Sequence, residues 1–348
     1  MPDAPVTLSH VAREAGVSLA TASRAINGSA TRSVREDLRE RVLETARRLG
    51  YSPDPSAQAM ARGRTTALGL VVHDIADPYF STIAAGVADA AEREGLIVTL
   101  ASTQHRPDRE LAFVELARRQ RSRAIILAGS RLVPGEEVGT APAGHDAALR
   151  DSLTAFRDAG GGVATVGQAL GDLPVVEIDN AGGASALARA LHDAGYRRFG
   201  VLAGPARLRT AADRTAGFRD ALAALGCAAG DDDVVPGEFT RDGGYNAMSA
   251  LLDRAGGPPE VVFAVNDVMA VGAMAAVRDA GLSVPGDVAV AGFDDIHTLR
   301  DVSPRLTTVR IPLDEIGALA TRLALGRTGD DVAPVRGEVV LRDSTPLR

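Results

Sequence analysis

At 348 residues, 45% hydrophobic and 24% charged, the chain has the composition of a globular protein of two or three domains; it has no apolar stretch of about 18 residues to cross a bilayer and no basic start with an apolar run in MPDAPVTLSH, so a soluble, cytoplasmic protein is expected. The single cysteine, Cys227, excludes an intrachain disulfide and zinc sites built on Cys pairs, and the absence of any lysine among 38 basic residues excludes a Walker A loop and a lysine Schiff base. The net charge of -7 is uneven: residues 1–64 hold ten Arg against seven acids, +3, and the remaining 28 Arg and 38 acids give -10, a slightly basic head on an acidic body.

In chain order, Thr7 is placed to N-cap a helix through Ala15 whose buried stripe is Leu8, Val11, Ala12 and Ala15. Gly16 suits the tight turn that follows. Ser18 then caps a second helix to about Ile26, with Ala22, Ala25 and Ile26 facing inward and Asn27-Gly28 ending it. A third helix is expected from a capping box, Ser33 with Glu36, carrying Val34, Leu38, Val42, Leu43, Ala46 and Leu49 at helical spacing to a stop at Gly50. Helix, glycine turn, short helix, longer helix is the helix-turn-helix plan, whose second helix enters the major groove. That groove is about 12 Å wide, so the small side chains Leu19, Ala20, Thr21 and Ser23 would let the backbone approach base edges, with Arg24 reaching a guanine or a phosphate. The same spacing also fits a small three-helix packing module.

Pro53 and Pro55 break the third helix, and PSAQAMAR, residues 55–62, reads as a short helix stopped by Gly63. It is too short to be stable alone, so it should order only when held; Met60, apolar in a linker, suits a wedge between base steps.

From Ala67 onward strand and helix patterns alternate. ALGLVV, LIVTLAS, AIILA, VATVG, VVEID, FGVLAG, VVFAV and DVAVAG read as buried parallel strands of doubly wound sheets, with a helix near Phe80 to Glu94 after the first. There is an internal echo: Ile83-x-x-Gly86-Val87 and Arg214-x-x-Gly217-Phe218 stand at matching places in two strand-loop-helix units, which predicts two similar lobes. In such sheets ligands sit beyond the C-terminal strand ends. Those positions hold Asp77, Tyr79, Phe80, Thr210, Arg214, Phe239, Asn266 and Asp294: aromatic faces for the C–H side of a small polyol, and polar groups for its hydroxyls. Asn266 and Asp294 could equally be helix caps or turn formers, and Tyr79-Phe80 the core of a helix start. Arg131 to Leu149, rich in Gly, Ala and Pro, is expected to be a surface loop.

Two stretches, VTLSHVAREAGVSLATASRAING from Val6 and GYSPDPSAQAMARG from Gly50, resemble the DNA-binding head and hinge of the lac/galactose repressor family of bacterial transcription regulators. DPYFSTIAAGV, RTAGF from Arg214, AVNDVMAVGA from Ala264, VAGFDD from Val290 and LTTV from Leu306 resemble that family's effector-binding core, which is similar to periplasmic sugar-binding proteins. The resemblance implies an all-α head (1–52) and hinge helix (53–64), then a bilobal α/β core of two doubly wound parallel sheets, with lobes of about 65–168 plus 298–326 and about 169–297 plus 327–348. It implies a homodimeric repressor on a palindromic operator, with Leu19 and Ala20 choosing bases, Arg24 assisting, and Thr7, Ser18, Thr21, Ser23, Asn27 and Ala57 as further DNA contacts. Met60 stands where the family's hinge wedge is usually leucine. The effector, a sugar or sugar derivative, would meet Asp77, Tyr79, Phe80, Thr210, Arg214, Phe239, Asn266 and Asp294; many members have Asn where this chain has Asp77. The chain ends at TPLR without leucine heptads, which favours a dimer.

An enzyme is disfavoured because the residues that would announce one are missing. The six histidines include no i, i+4 metal pair; Gly160-x-Gly162 continues to Thr165, so the dinucleotide fingerprint fails; and no G-x-S-x-G elbow occurs. No catalytic residue, metal or cofactor is expected. A solute-binding transport receptor would share the body but needs export.

Overall fold

The computed structural model describes residues 6–27, 34–52, 65–104, 106–133, 144–254, 257–329 and 332–348. The chain divides into two compact units, Met1–Thr66 and Ala67–Arg348.

In the first unit, α1 (Leu8–Glu14), α2 (Leu19–Asn27) and α3 (Glu36–Arg48) close over Val11, Ala12, Ala15, Ala22, Ala25, Val42 and Ala46. With so many alanines in the seam, the helix backbones can approach closely. Gly16 makes the turn because its φ is +64°, a left-handed value that lets its N–H reach Arg13 O at 3.2 Å and the Val17 N–H reach Ala12 O at 3.0 Å. Ser18 caps α2 as expected, its Oγ accepting the Thr21 N–H at 3.1 Å. The start of α3 differs from the capping-box reading. Its N-cap is Arg35, whose guanidinium forks onto Asp37 at 3.1 and 2.6 Å, and Val34 precedes the helix. Ser33, Gly28 and the whole hinge stretch with Ala57, Met60 and Gly63 lie outside the described residues.

The second unit holds two parallel sheets. The first orders β2 (Ile97–Ser102), β1 (Ala67–Val72), β3 (Ala124–Ala128), β4 (Gly162–Gly167) and β5 (Val175–Glu177); the second orders β7 (Val234–Val235), β6 (Phe199–Leu202), β8 (Val261–Ala264) and β9 (Ala289–Ala291). The central strands are apolar throughout because helices cover both faces. β2 departs from the buried-strand reading: it is an edge, with Ile97 71% exposed. Because β5 pairs with β4, the first lobe extends past the expected boundary at residue 168.

The helices are α4 (Pro78–Arg93), α5 (Pro107–Arg119), α6 (His145–Asp158), α7 (Asn180–Asp193), α8 (Arg209–Ala224), α9 (Arg241–Leu252), α10 (Asp267–Asp279) and α11 (Leu313–Ala324). α11 returns to the first lobe and packs on α4 and β4. The chain therefore crosses between lobes after β5, between β9 and α11, and again after α11. A small antiparallel pair, β10 (Thr308–Arg310) with β11 (Glu338–Val340), ties the last two crossings, and Val335 exchanges backbone hydrogen bonds with Glu177 and Asp179 of the first at 2.8 and 2.9 Å.

The internal echo has a packing cause. At Gly86 a Cβ would collide with the carbonyl of Asp314 on α11, and at Gly217 with that of Ala181 on α7. Each lobe thus seats one helix against another through a bare backbone at the same point of its strand-loop-helix unit. Gly217→Ala is expected to destabilise the body by about 1–3 kcal/mol through this overlap. Urea unfolding followed by circular dichroism tests it, and an unchanged midpoint would contradict the close approach.

Candidate functional site

On α2, Leu19 is 51% exposed and Ala20 and Ser18 are exposed, while Thr21, Ser23, Arg24 and Asn27 are half-buried; Thr7, at the N-cap of α1, is exposed. The polar side chains are folded back on the helix. Arg24 Nε donates to Ala20 O at 3.0 Å, Asn27 Nδ2 donates to Ser23 Oγ at 3.2 Å, and Ser18 Oγ shares a hydrogen bond with Thr21 Oγ1 at 2.8 Å. The exposed tip therefore presents Leu19 among small side chains, and Arg24 has a weak local bond to exchange for a stronger acceptor.

In the body, a cavity of about 600 Å³ is lined by residues of both lobes, and all eight positions singled out from the sequence line it. Parallel topology explains the convergence: every strand of a lobe delivers its C-terminal end to the same sheet edge. From the first lobe, Asp77 caps α4 by accepting the Tyr79 N–H at 2.9 Å. Tyr79 and Phe80 then stand edge to face with ring centroids 5.0 Å apart. From the second lobe, Asn266 caps α10 by accepting the Met269 N–H at 2.9 Å, so it is a helix cap as well as cavity lining. Phe239 is half-buried and supplies a second aromatic surface. Thr210 lines the cavity, but its hydroxyl already accepts from Gln168 Nε2 at 2.8 Å.

Arg214 lies at the centre, 1% exposed. Nε donates to Asn180 Oδ1, Nη1 to Val265 O and Nη2 to Asp294 Oδ1, each at 2.8 Å, and the guanidinium lies over the Phe293 ring, 3.8 Å from its centroid. Asp294 holds φ +122°, a left-handed value unusual for a side chain with a Cβ, which turns its carboxylate toward the arginine. Burial pushes the Asp294 carboxyl up to about 8, against the pull of Arg214 and with a further push from Asp267. Asp267, fully buried and accepting from Thr308 Oγ1 at 2.6 Å and the Ile296 N–H at 3.0 Å, is likewise raised by burial, to about 6. Burial also raises Asp77 and the Tyr79 phenol. The donors of Arg214 are thus taken up within the protein, and the lining offers aromatic faces with hydroxyl-sized polar groups.

The sequence reading missed Asn180 and Gln168. Asn180 opens α7 right after β5, where the rule about strand ends would have found it; Gln168 follows β4 in the same way. Arg131 also departs from the expected surface loop: it is half-buried, its guanidinium held by the buried Glu110 at 3.0 and 2.5 Å, and α6 starts at His145, while residues 134–143 lie outside the described residues.

Residues 7–54 match the model of bacterial regulatory proteins of the lacI family, and residues 188–345 match that of the periplasmic binding protein-like domain. The HTH-type transcriptional regulator GalS of Salmonella typhimurium is 35% identical over 323 residues, 92% of this chain and 89% of that protein. The HTH-type transcriptional repressor CytR of Escherichia coli is 32% identical over 346 residues, 97% and 96%. Among solved structures, a transcriptional regulator CelR–cellobiose complex is similar at 31% identity and TM-score 0.66, over 97% of this chain and 99% of that one. A lac repressor dimer bound to operator and the anti-inducer ONPF shares the fold, at 24% identity and TM-score 0.83 over 99% and 100%.

The raised carboxyls have a thermodynamic signature. A carboxyl whose folded pKa exceeds its unfolded value binds more protons when folded, so its contribution to stability is present below the unfolded value and lost as pH rises through the folded one. For Asp294 that window runs from the ordinary value of 3.8 to about 8. Asp294→Asn should therefore shift the difference in melting temperature, variant minus parent, steadily in the variant's favour from pH 5 to pH 8. A difference constant with pH would contradict a raised Asp294.

Proposed function

Because this chain belongs to the lacI family of bacterial regulatory proteins and is a DNA-binding transcriptional regulator, we propose that it is a cytoplasmic, non-enzymatic repressor that binds a palindromic operator as a homodimer and responds to a sugar or sugar-derived effector in the inter-lobe cavity. The observation that carries the effector reading is the meeting of eight residues that follow the strand ends around one cavity of about 600 Å³. The CelR relative's cellobiose supports the sugar class. Tyr79, Phe80 and Phe239 would stack on C–H faces, and Asp77, Asn266, Asp294 and Thr210 would meet hydroxyls, with Arg214 ordering the floor.

In the head, α2 of each protomer would read one half-site. Leu19 and Ala20 would touch base edges, Arg24 would take a guanine or phosphate, and Thr7, Ser18, Thr21, Ser23 and Asn27 would fix the docking on the backbone. Ala57 and Met60 belong to the proposal through resemblance: the paired hinges would order at the operator centre with Met60 as the wedge. An effector that favours one lobe arrangement by about 1–3 kcal/mol would change operator affinity roughly 5- to 150-fold. A transport receptor is disfavoured, since the match to regulators such as CytR runs over 97% of this chain, head included.

Arg24→Ala is expected to weaken binding to the palindrome near the protein's own gene by about 1–3 kcal/mol and to leave effector binding intact, with Arg214→Ala doing the reverse. Gel shifts at a fixed, stated salt concentration measure the first. Melting-temperature shifts with neutral mono- and disaccharides and their phosphates, cellobiose among them, measure the second. If both variants lose both functions, the assignment of sites is wrong or the variants misfold.

A further inference from the structure

Glu110, on the first turn of α5, is 6% exposed and takes no part in the cavity lining or the head. Its carboxylate holds the fork of Arg131 and faces His145 Nε2 at 3.4 Å. Burial opposes its charge, yet Arg131 and His145 beside it hold the carboxyl well below the usual range, so the pair stays ionised. Arg131 belongs to a short run after β3 that reaches across to the second lobe. There the Val133 N–H donates to Arg207 O at 2.9 Å and the Arg209 N–H donates to Arg131 O at 3.0 Å, which sets Leu132 opposite Leu208 in an antiparallel bridge. Gln168, 6% exposed, accepts the Arg131 N–H at 2.9 Å and donates to Thr210 Oγ1, while Ser130 Oγ accepts the Thr210 N–H at 3.1 Å. Ser130, Leu208 and Thr210 line the cavity; Glu110 and Gln168 do not.

The lobes are joined covalently only at the three crossings, whereas these hydrogen bonds run directly from one lobe to the other. We propose that the strap Ser130–Val133 is the clasp that holds the lobes closed over the cavity, and that Glu110 and Gln168 are positioning residues that set how readily it closes without touching a ligand. Without Glu110 the half-buried Arg131 guanidinium would lose its carboxylate fork and keep only Asp146 at 3.8 Å, and turning toward that partner or to water would pull the strap out of register. Gln168 acts at the other side, fixing Arg131 and Thr210 with one amide. The cavity's identity as the effector site comes from the reading above, but the clasp needs no ligand to be observed, so the two can fail separately.

Leu132 and Leu208 form a non-hydrogen-bonded antiparallel pair, a position with Cα atoms about 4.5 Å apart, within the span of a disulfide. In a Cys227→Ser background, the Leu132→Cys/Leu208→Cys chain should oxidise readily in a glutathione buffer without effector. Adding Glu110→Gln or Gln168→Leu should slow closure about tenfold, as a tenfold shift of the closed population requires. Thr210→Val should slow it too, and Thr210→Ser, which keeps the hydroxyl, should restore the rate. Gly217→Ala serves as the control, a packing defect outside the strap. The inference is overturned if the Cys pair does not oxidise in the otherwise unaltered strap, if all variants oxidise at one rate, or if Gly217→Ala slows closure as much as Glu110→Gln.

Discussion

The buried guanidinium of Arg214 is the interaction on which the second lobe's binding edge depends. An arginine 1% exposed must have its donors and its charge satisfied by protein, and its partners come from three separate junctions: Asn180 at the start of α7, Val265 after β8 and Asp294 after β9. Its planar fork addresses all three in fixed directions while its face rests on Phe293, which a lysine could not reproduce. Moving any one junction strands part of a buried charge, so the three are held in mutual register. The same bonds keep the Arg214 donors turned away from the cavity, so that its lining is made by rings, amides and hydroxyls together with the side chains of Asp74, Asp77 and Arg241.

Much of this could be read in the chain itself, for identifiable reasons. Parallel strands deliver their C-terminal ends to one edge, so naming the residues that follow the apolar runs was enough to find eight of the cavity's lining residues without any knowledge of contacts. The matched glycines at 86 and 217 announced a repeated unit because close backbone approach tolerates no side chain. What escaped depends on partners distant in sequence. Glu110 reads as an ordinary acid in a helix's first turn, and Arg131 as part of a loop, until folding brings them together. The short strands β7, β10 and β11 have too few residues for periodicity to register, and Ile97 and Leu100 look like core because nothing in an apolar run distinguishes an edge from a centre. At α3, the helix begins at Glu36 with Arg35 as its N-cap, later than the pattern Ser33 with Glu36 suggests, and Ser33 itself lies outside the described residues.

The head follows a different economy of size. Its seam is mostly alanine and valine, and α2, the helix proposed to read DNA, carries one arginine among mostly small side chains. Stowing Arg24 on its own helix keeps the charge soluble and local until a better acceptor is at hand. Such surface bonds are weak enough to exchange readily.

The return of α11 to the first lobe bears on how the protein is made. All five strands of the first sheet have been synthesised by residue 177, yet the helix that seals them, with Ile316, Ala320 and Leu323 buried and Gly317 pressed on the carbonyl of Ile83, emerges only with residues 313–324. During translation the first lobe must therefore wait, its apolar face uncovered, while the ribosome delivers nearly all of the second, and the nascent chain is exposed to aggregation for that interval.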